Sequence, residues 1–491
     1  MKRIILCCLA VTLAPSEAAP DTSPPANLPA PLVQPGIPGP WESSTPQPLP
    51  PLAAILARPG PGRLIYGLYA WPGEYLKHRQ SIREVGWPSI RIAGPFDDKI
   101  MRALADDGAN VMVTLESRLL EPAKGKDRSA YASDEEFLAD AKQKMLAFLG
   151  RYGPGGTFFS TNADAPVRPI KEVEIWNEPN FQYLIPPDSR SQDELESARE
   201  KLYVHLLRSV GPVIREKHPG VTVAGFSGGG MSAGDLRFVQ GAHAANPGLS
   251  SDFDVLSTHP YVRPAPPEAN LIEKWGSYSI TRSIANIRAT LAKDGNPDKP
   301  VWITEIGWPI SQADGGIFPT PTSKSFVTPL LQAAYVCRTY ALALRLGVER
   351  VHVMFAVDTD NFNGGFFLKD GSWRPSAHAV QTMIRLLPDP RLTSAISDGK
   401  NGFFAYTFAS GAMPPAPKDV IMAWNVNGPI AVQIPAPAEN VRVTDMLGHE
   451  TELFAKDGKI TLTVGPCPVY VAPVADTVQA AGSQSAHATK K

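Results

Sequence analysis

The chain has 491 residues, 43% hydrophobic and 19% charged, with a formal net charge of −1. This is ordinary globular usage, long enough for one large domain or two to three smaller ones. The near-zero charge offers no global field for nucleic acid or an anionic membrane.

Residues 1–18 have the make-up of a secretory signal. Lys2 and Arg3 are basic, Ile4 to Ala14 is apolar, and Ser16-Glu17-Ala18 is a small-x-small cleavage site. The apolar run is too short to span a membrane, so the expectation is export to the periplasm or beyond. Cys7 and Cys8 lie inside that run, which leaves Cys337 and Cys467. A disulfide and two free buried thiols both stay open. No Cys/His spacing marks a metal, and neither metal nor cofactor is expected. Residues 19–58 are dense in proline and read as an extended spacer with no core of its own.

From Leu64 a repeating pattern begins. Apolar strands are predicted at Leu64–Tyr69, Ser89–Gly94, Asn110–Glu116, Val173–Asn180, Val221–Gly228, Asp254–Tyr261, Val301–Trp308 and Arg350–Thr359. Helical periodicity lies between them at Asp134–Tyr152, Asp193–Lys217, Ile280–Lys293 and Leu330–Leu346, then at Ala377–Leu387. Ser133 is the expected N-cap of the first of these. Strands alternating with helices pair in parallel through right-handed crossovers. Eight such units over roughly 330 residues predict an α/β fold, a (β/α)8 TIM barrel across residues 59–388. The competing topology is a doubly wound open sheet, which would show a Gly-rich phosphate turn after the first strand; none is there. Gly228-Gly229-Gly230 lacks the lysine of such a turn and reads as a strand-five loop.

After Pro388 the segments become short and alternating, with turns between them and no long helix. Residues 389–476 are predicted to form a small antiparallel β-sandwich. Residues 477–491 read as a disordered tail.

In an eight-stranded barrel, reactive groups sit at the carboxyl ends of the strands. Those ends carry Arg91, Asn177, Glu178, His259, Tyr261, Glu305 and Asp358. Pro179 stops the fourth strand because it has no N–H for a ladder, leaving Asn177 and Glu178 at its end. Gly307 and Pro309 break the seventh just past Glu305. Two carboxylates facing each other can cleave a glycosidic bond by double displacement. Arg91 either serves that pair or forms a structural ion pair with Glu116. Trp71, Trp275, Trp308 and Trp373 are candidate sugar platforms, with Trp308 best placed, three residues past Glu305. Asp358, with Asp360 and Asn361, either binds sugar hydroxyls or shapes a loop ending in Gly364-Gly365.

Trp176-Asn177-Glu178-Pro179-Asn180, with Thr304-Glu305 on a later strand, resembles clan A of the retaining glycoside hydrolases. Within the clan it looks most like family 39 and the PslG-type endoglycosidases of bacterial exopolysaccharide. The resemblance implies Glu178 as acid/base and Glu305 as nucleophile. It implies Asn177 as the holder of a neighbouring sugar hydroxyl, His259-Pro260-Tyr261 as the strand-six element, and Arg91 as the group that orients the nucleophile. The clan often has Trp at the end of strand eight; here Met354, Phe355 and Ala356 stand there. The expectation is an exported, monomeric retaining β-glycoside hydrolase, endo-acting on an envelope or extracellular polysaccharide. The alternatives are an exo-acting β-xylosidase-like enzyme and a non-catalytic polysaccharide-binding barrel. No nucleic-acid partner is expected.

Overall fold

A computed structural model describes residues 49–58, 64–94, 96–119, 127–181, 183–229, 234–273, 276–310, 327–359, 362–410 and 419–474. The signal-like start, most of the Pro-rich segment, the 477–491 tail, Trp275, Asp360 and Asn361 lie outside the described residues.

Eight parallel strands close into a barrel: β1 (Ile65–Ala70), β2 (Ser89–Gly94), β3 (Asn110–Leu115), β4 (Glu172–Ile175), β5 (Thr222–Gly228), β6 (Val255–Thr258), β7 (Val301–Ile306) and β8 (Arg350–Met354). Each neighbours the next, and β1 closes on β8 with Ile65 opposite Arg350. The open-sheet alternative is thereby excluded. The strands are buried almost throughout, as parallel strands covered on both faces must be. At one point β1 and β8 need a bare backbone: a Cβ at Gly67 would lie 2.2 Å from the His352 ring.

A helix follows every strand: α1 (Pro72–Val85), α2 (Asp98–Asp107), α3 (Asp134–Tyr152), α4 (Gln192–Lys217), α5 (Gly234–Ala245), α6 (Ile280–Lys293), α7 (Pro329–Arg345) and α8 (Pro375–Leu386). The Ser133 side chain caps α3 by accepting from the Glu136 N–H, and Ser191 with Glu194 makes a capping box on α4. Helices α1, α2 and α5 add to those the periodicity shows. Among the described residues, no helix is long and apolar enough to cross a membrane.

The chain then forms β9 (Pro390–Asp398), β10 (Phe403–Ser410), β11 (Asp419–Asn425), β12 (Ile430–Pro435), β13 (Asn440–Asp445), β14 (Glu450–Phe454), β15 (Lys459–Val464) and β16 (Val469–Pro473). Six of these make an antiparallel sheet in the order β9-β10-β11-β16-β13-β14, and β12 pairs with β15. Ile434, Ile460, Leu462 and Val464 of that pair share an apolar core with Ile421, Val441 and Val471 of the larger sheet.

The sandwich is bonded to the barrel. Arg338 of α7, 1% exposed, donates through Nε to Glu268 Oε1 at 2.9 Å and through Nη2 to Glu268 Oε2. Trp424 Nε1 of β11 donates to the same Glu268 Oε1 at 2.9 Å, and Arg338 Nη1 donates to the Pro466 carbonyl at 3.3 Å. Cys337 and Cys467 are buried thiols that form no disulfide; burial pushes each thiol up to about 12.

Candidate active site

The site is built where β4 and β5 end. Both strand ends turn through the left-handed region without glycine: Trp176 at φ 69°, Glu178 at 45°, Phe226 at 85° and Ser227 at 36°. Each such residue costs on the order of 1–3 kcal/mol, and these conformations gather where a site is held by its surroundings. The holding groups are visible. Tyr203 of α4 accepts from the Phe226 N–H at 2.5 Å and donates to the Ile175 carbonyl at 3.1 Å. The Ser227 hydroxyl donates to the Trp176 carbonyl at 2.9 Å, and the Glu178 N–H donates to the Ser227 carbonyl at 3.1 Å. Gly229 completes the fit, because a Cβ there would lie 2.1 Å from Glu178 Oε1. The glycine run after β5 thus serves close approach to a carboxyl.

Arg91, at the centre of β2 and 0% exposed, reaches side chains of two other strands and their ends, β4 and β7. Its Nε and Nη2 converge on Glu174 Oε2 at 3.0 and 2.6 Å, Nη1 donates to Glu305 Oε2 at 2.8 Å, and Nη2 also donates to Asn177 Oδ1 at 2.8 Å. Thr114 adds a hydroxyl to Glu174 Oε2 at 3.0 Å. Burial alone would raise the Glu174 carboxyl, but Arg91 and His259 hold it below its ordinary value. Arg91 therefore serves the site. Glu116, the structural partner considered from sequence, pairs instead with Arg118 at 3.3 Å.

The other oxygen of Glu305, Oε1, accepts from the Tyr261 hydroxyl at 2.5 Å. Tyr261 also lies 2.7 Å from Met354 Sδ, in the region where the clan often has Trp. Glu178 meets no such guanidinium; its Oε1 lies 3.2 Å from His259 Nδ1, and His259 Nε2 lies 3.1 Å from Thr304 Oγ1. Burial pushes the Glu178 carboxyl up to about 7, only partly countered by Arg91 and Arg263. Burial pushes the His259 imidazole down to about 4. A neutral ring carries one N–H, so His259 donates to one of its two partners, Glu178 or Thr304, through one nitrogen and accepts at the other. Glu116 is likewise pushed up to about 7, by burial first.

One ligand atom each from Glu178, His259 and Glu305 lies within 4.8 Å of the others. The trio could in principle chelate a cation. Yet both oxygens of Glu305 are already taken, one by a guanidinium, and His259 is bonded on both nitrogens, so the donor set fits proton transfer better. The same bound puts the nearest ligand atoms of Glu178 and Glu305 within 4.8 Å, so the two carboxyls border one small space.

The structure thus brings Arg91, Asn177, Glu178, His259, Tyr261 and Glu305 together. It separates two other candidates. Trp308 is not an open sugar platform: it is 0% exposed, donates through Nε1 to the Ala265 carbonyl at 2.8 Å, and packs edge-on against Tyr335 at 5.6 Å. Asp358 is not free to bind sugar. Both its oxygens accept from Arg374 at 2.7 Å, and Oδ1 also accepts from the Gly364 and Gly365 N–H groups; it shapes the loop. Of the remaining tryptophans, Trp71 sits half-buried at the end of β1 with the Arg118 guanidinium 3.9 Å over its ring, and Trp373 packs on Phe367 and His378. Glu174 is the residue that sequence reasoning missed. Its signal is a charged side chain in the middle of an apolar strand, matched by Arg91 in another.

No protein-family model and no curated protein matches the chain. Solved structures do. A family 39 glycoside hydrolase from the gut symbiont Bacteroides cellulosilyticus superposes with a TM-score of 0.61 at 20% identity, covering 84% of this chain and 81% of the other. A glucosidase from Croceicoccus marinus gives 0.52 at 15% identity, over 80% and 91%. A family 51 α-L-arabinofuranosidase from Thermotoga petrophila gives 0.52 at 10% identity, over 82% and 90%. At these identities the likeness establishes the fold, and activity is argued from the site.

Proposed function

We propose that this chain is a retaining glycoside hydrolase that cleaves β-glycosidic bonds by double displacement, with Glu305 as nucleophile and Glu178 as acid/base. The observation that carries this is the pair of carboxyls, within 4.8 Å at their nearest ligand atoms and in opposite surroundings. Glu305 has a cation on one oxygen and a phenol on the other. Glu178 faces a neutral imidazole and holds its proton up to about pH 7. That division is what an acid and a nucleophile require of two adjacent carboxyls.

In the first step a Glu305 oxygen attacks the anomeric carbon while Glu178 gives its proton to the departing glycosidic oxygen. The products are a glycosyl ester on Glu305 and a free alcohol. In the second step the Glu178 carboxylate takes a proton from water, the water oxygen attacks the same carbon, and the ester bond returns its electrons to Glu305. Arg91 aims Glu305 through its Nη1 bond, with Glu174 balancing the guanidinium charge. Asn177, held by Arg91, is placed to bond the hydroxyl next to the reacting carbon.

We extend the proposal to endo-action on an extracellular or envelope polysaccharide. The open cleft beside Glu178, about 340 Å³, supports it; the signal-like first residues support export. The test is a panel of polysaccharides and 2-deoxy-2-fluoroglycosyl fluorides, with product sizing, anomer assignment by NMR and peptide mass mapping. The expected result is internal cleavage, a β-anomer first product and a fluoroglycosyl adduct on Glu305. An α-anomer first product, or a label elsewhere, overturns the assignment.

A further inference from the structure

The cleft next to Glu178 is lined by Glu178, Phe181, Tyr183, Pro187, Gln192 and Arg199. Among the described residues only six large hydrophobic side chains are exposed, and two of them, Phe181 at 39% and Tyr183 at 47%, stand together in this cleft. Exposed aromatics paired in one concavity mark a binding surface more than scattered ones do.

Their loop is not loose. Leu184, immediately after Tyr183, is 0% exposed. The buried Arg199 of α4 donates through Nε and Nη2 to the Ile185 carbonyl at 2.9 and 2.7 Å, and through Nη1 to the Asn180 carbonyl at 3.3 Å. Asn180 in turn exchanges two hydrogen bonds with the Gly229 backbone, at 2.7 and 3.0 Å. The aromatics are therefore presented by a loop fastened at both ends, so little ordering entropy is lost when a ring stacks on them. The position of the cleft is equally telling. It is walled by the acid/base carboxyl, whereas Glu305 is turned toward Arg91 and Tyr261. The leaving oxygen must sit against the acid, so what that oxygen carries extends into this cleft. Burial, and then the Glu178, Glu305 and Glu116 carboxyls, push the Tyr183 phenol up, which places it within their field.

We infer that Phe181 and Tyr183 form a leaving-side sugar platform, with the Gln192 amide oxygen accepting from hydroxyls while its Nε2 donates to Glu196 Oε1 at 3.0 Å, so that the bond cleaved joins two sugars. This rests on the hydrolase reading above. The leaving group is a pyranose whose apolar face lies on the two rings; without it the acid still works, but the substrate loses its grip.

The test compares two leaving groups on one glycone. The full chain is screened on β-glucosyl, β-xylosyl, β-galactosyl, β-mannosyl and β-glucuronosyl fluorides, whose leaving atom is too small to reach the platform. The sugar that reacts is then supplied as β-linked oligosaccharides. In the Phe181→Ala/Tyr183→Ala double variant, kcat/KM on the oligosaccharides falls about tenfold or more while the fluoride rate stays within about twofold. Tyr183→Phe alone recovers most of the loss. Equal falls on both substrates, or no change on the oligosaccharides, overturn the platform and leave the hydrolase reading intact. A wild type inert on every fluoride and every oligosaccharide overturns the hydrolase reading and the platform with it. Both side chains lie on the surface, so their removal spares the core.

Discussion

Among the described residues, two arginine–glutamate couples are deeply buried, and they are used in opposite ways. At the junction of barrel and sandwich, Arg338 and Glu268 are closed upon each other, with Trp424 and the Pro466 carbonyl completing the set. Every partner is protein. At the barrel mouth, Arg91 is shared between Glu174 and Glu305, and the Glu305 side chain is 10% exposed against 4% for Glu268. The chemistry of the bond is the same. What differs is that Glu305 also faces a second carboxyl, Glu178, within 4.8 Å. A closed couple joins two layers; an open one holds a charge ready for a reaction, with a third group, Glu174, keeping the guanidinium in place when that charge is spent.

This contrast can be broken most directly at Glu305. Glu305→Gln should lower kcat by on the order of 10⁴ or more. Stability should hold within about 1 kcal/mol, since Arg91 keeps Glu174 and Asn177. Substantial activity in this variant, measured after excluding wild-type contamination, would end the open-couple account.

The junction should behave in reverse. Arg338→Met strands a buried carboxylate and should cost ~3–5 kcal/mol of unfolding free energy, while Arg338→Met/Glu268→Leu should recover much of it. Activity per folded molecule should be unchanged in both. Denaturant melts read alongside active-site titration separate the two quantities, and a folded but inactive Arg338→Met would show that the couples are not independent.

The smallest effect is in the pH profile. Glu178 carries its proton below about pH 7 and is a carboxylate above it. An acid that has lost its proton cannot assist the leaving oxygen. On an oxygen-linked glycoside, kcat/KM should therefore fall about tenfold per pH unit above roughly 7. Glu178→Gln should lack this limb on any substrate it still turns over, and Arg338→Met should keep it unshifted on the oxygen-linked glycoside. A limb that survives in Glu178→Gln assigns it to another group.

Much of this was legible in the chain. The eight strands are long apolar runs bounded by breakers, and Pro179 and Gly307 mark where two of them release a glutamate. What was not legible depended on contacts across the barrel. Glu174 looks like a blemish in a strand until Arg91 arrives from 83 residues away. Trp308 has the right spacing from Glu305, but spacing does not say which way a side chain turns, and this one turns under the rim to Ala265 and Tyr335. Asp358 carries the right chemistry, but Arg374 reaches it first. Phe181 and Tyr183 drew no attention because loop aromatics follow no period.

The left-handed turns at Trp176, Glu178, Phe226 and Ser227 have a practical corollary for engineering. Because Tyr203 and Ser227 stitch the ends of β4 and β5 into one another, neither rim segment is a separable cassette. A graft of the Glu178 loop onto another barrel must bring the β5 corner, Gly229 and the Tyr203 hydroxyl with it; moved alone, the donor loop would relax to an ordinary backbone and swing its glutamate off target.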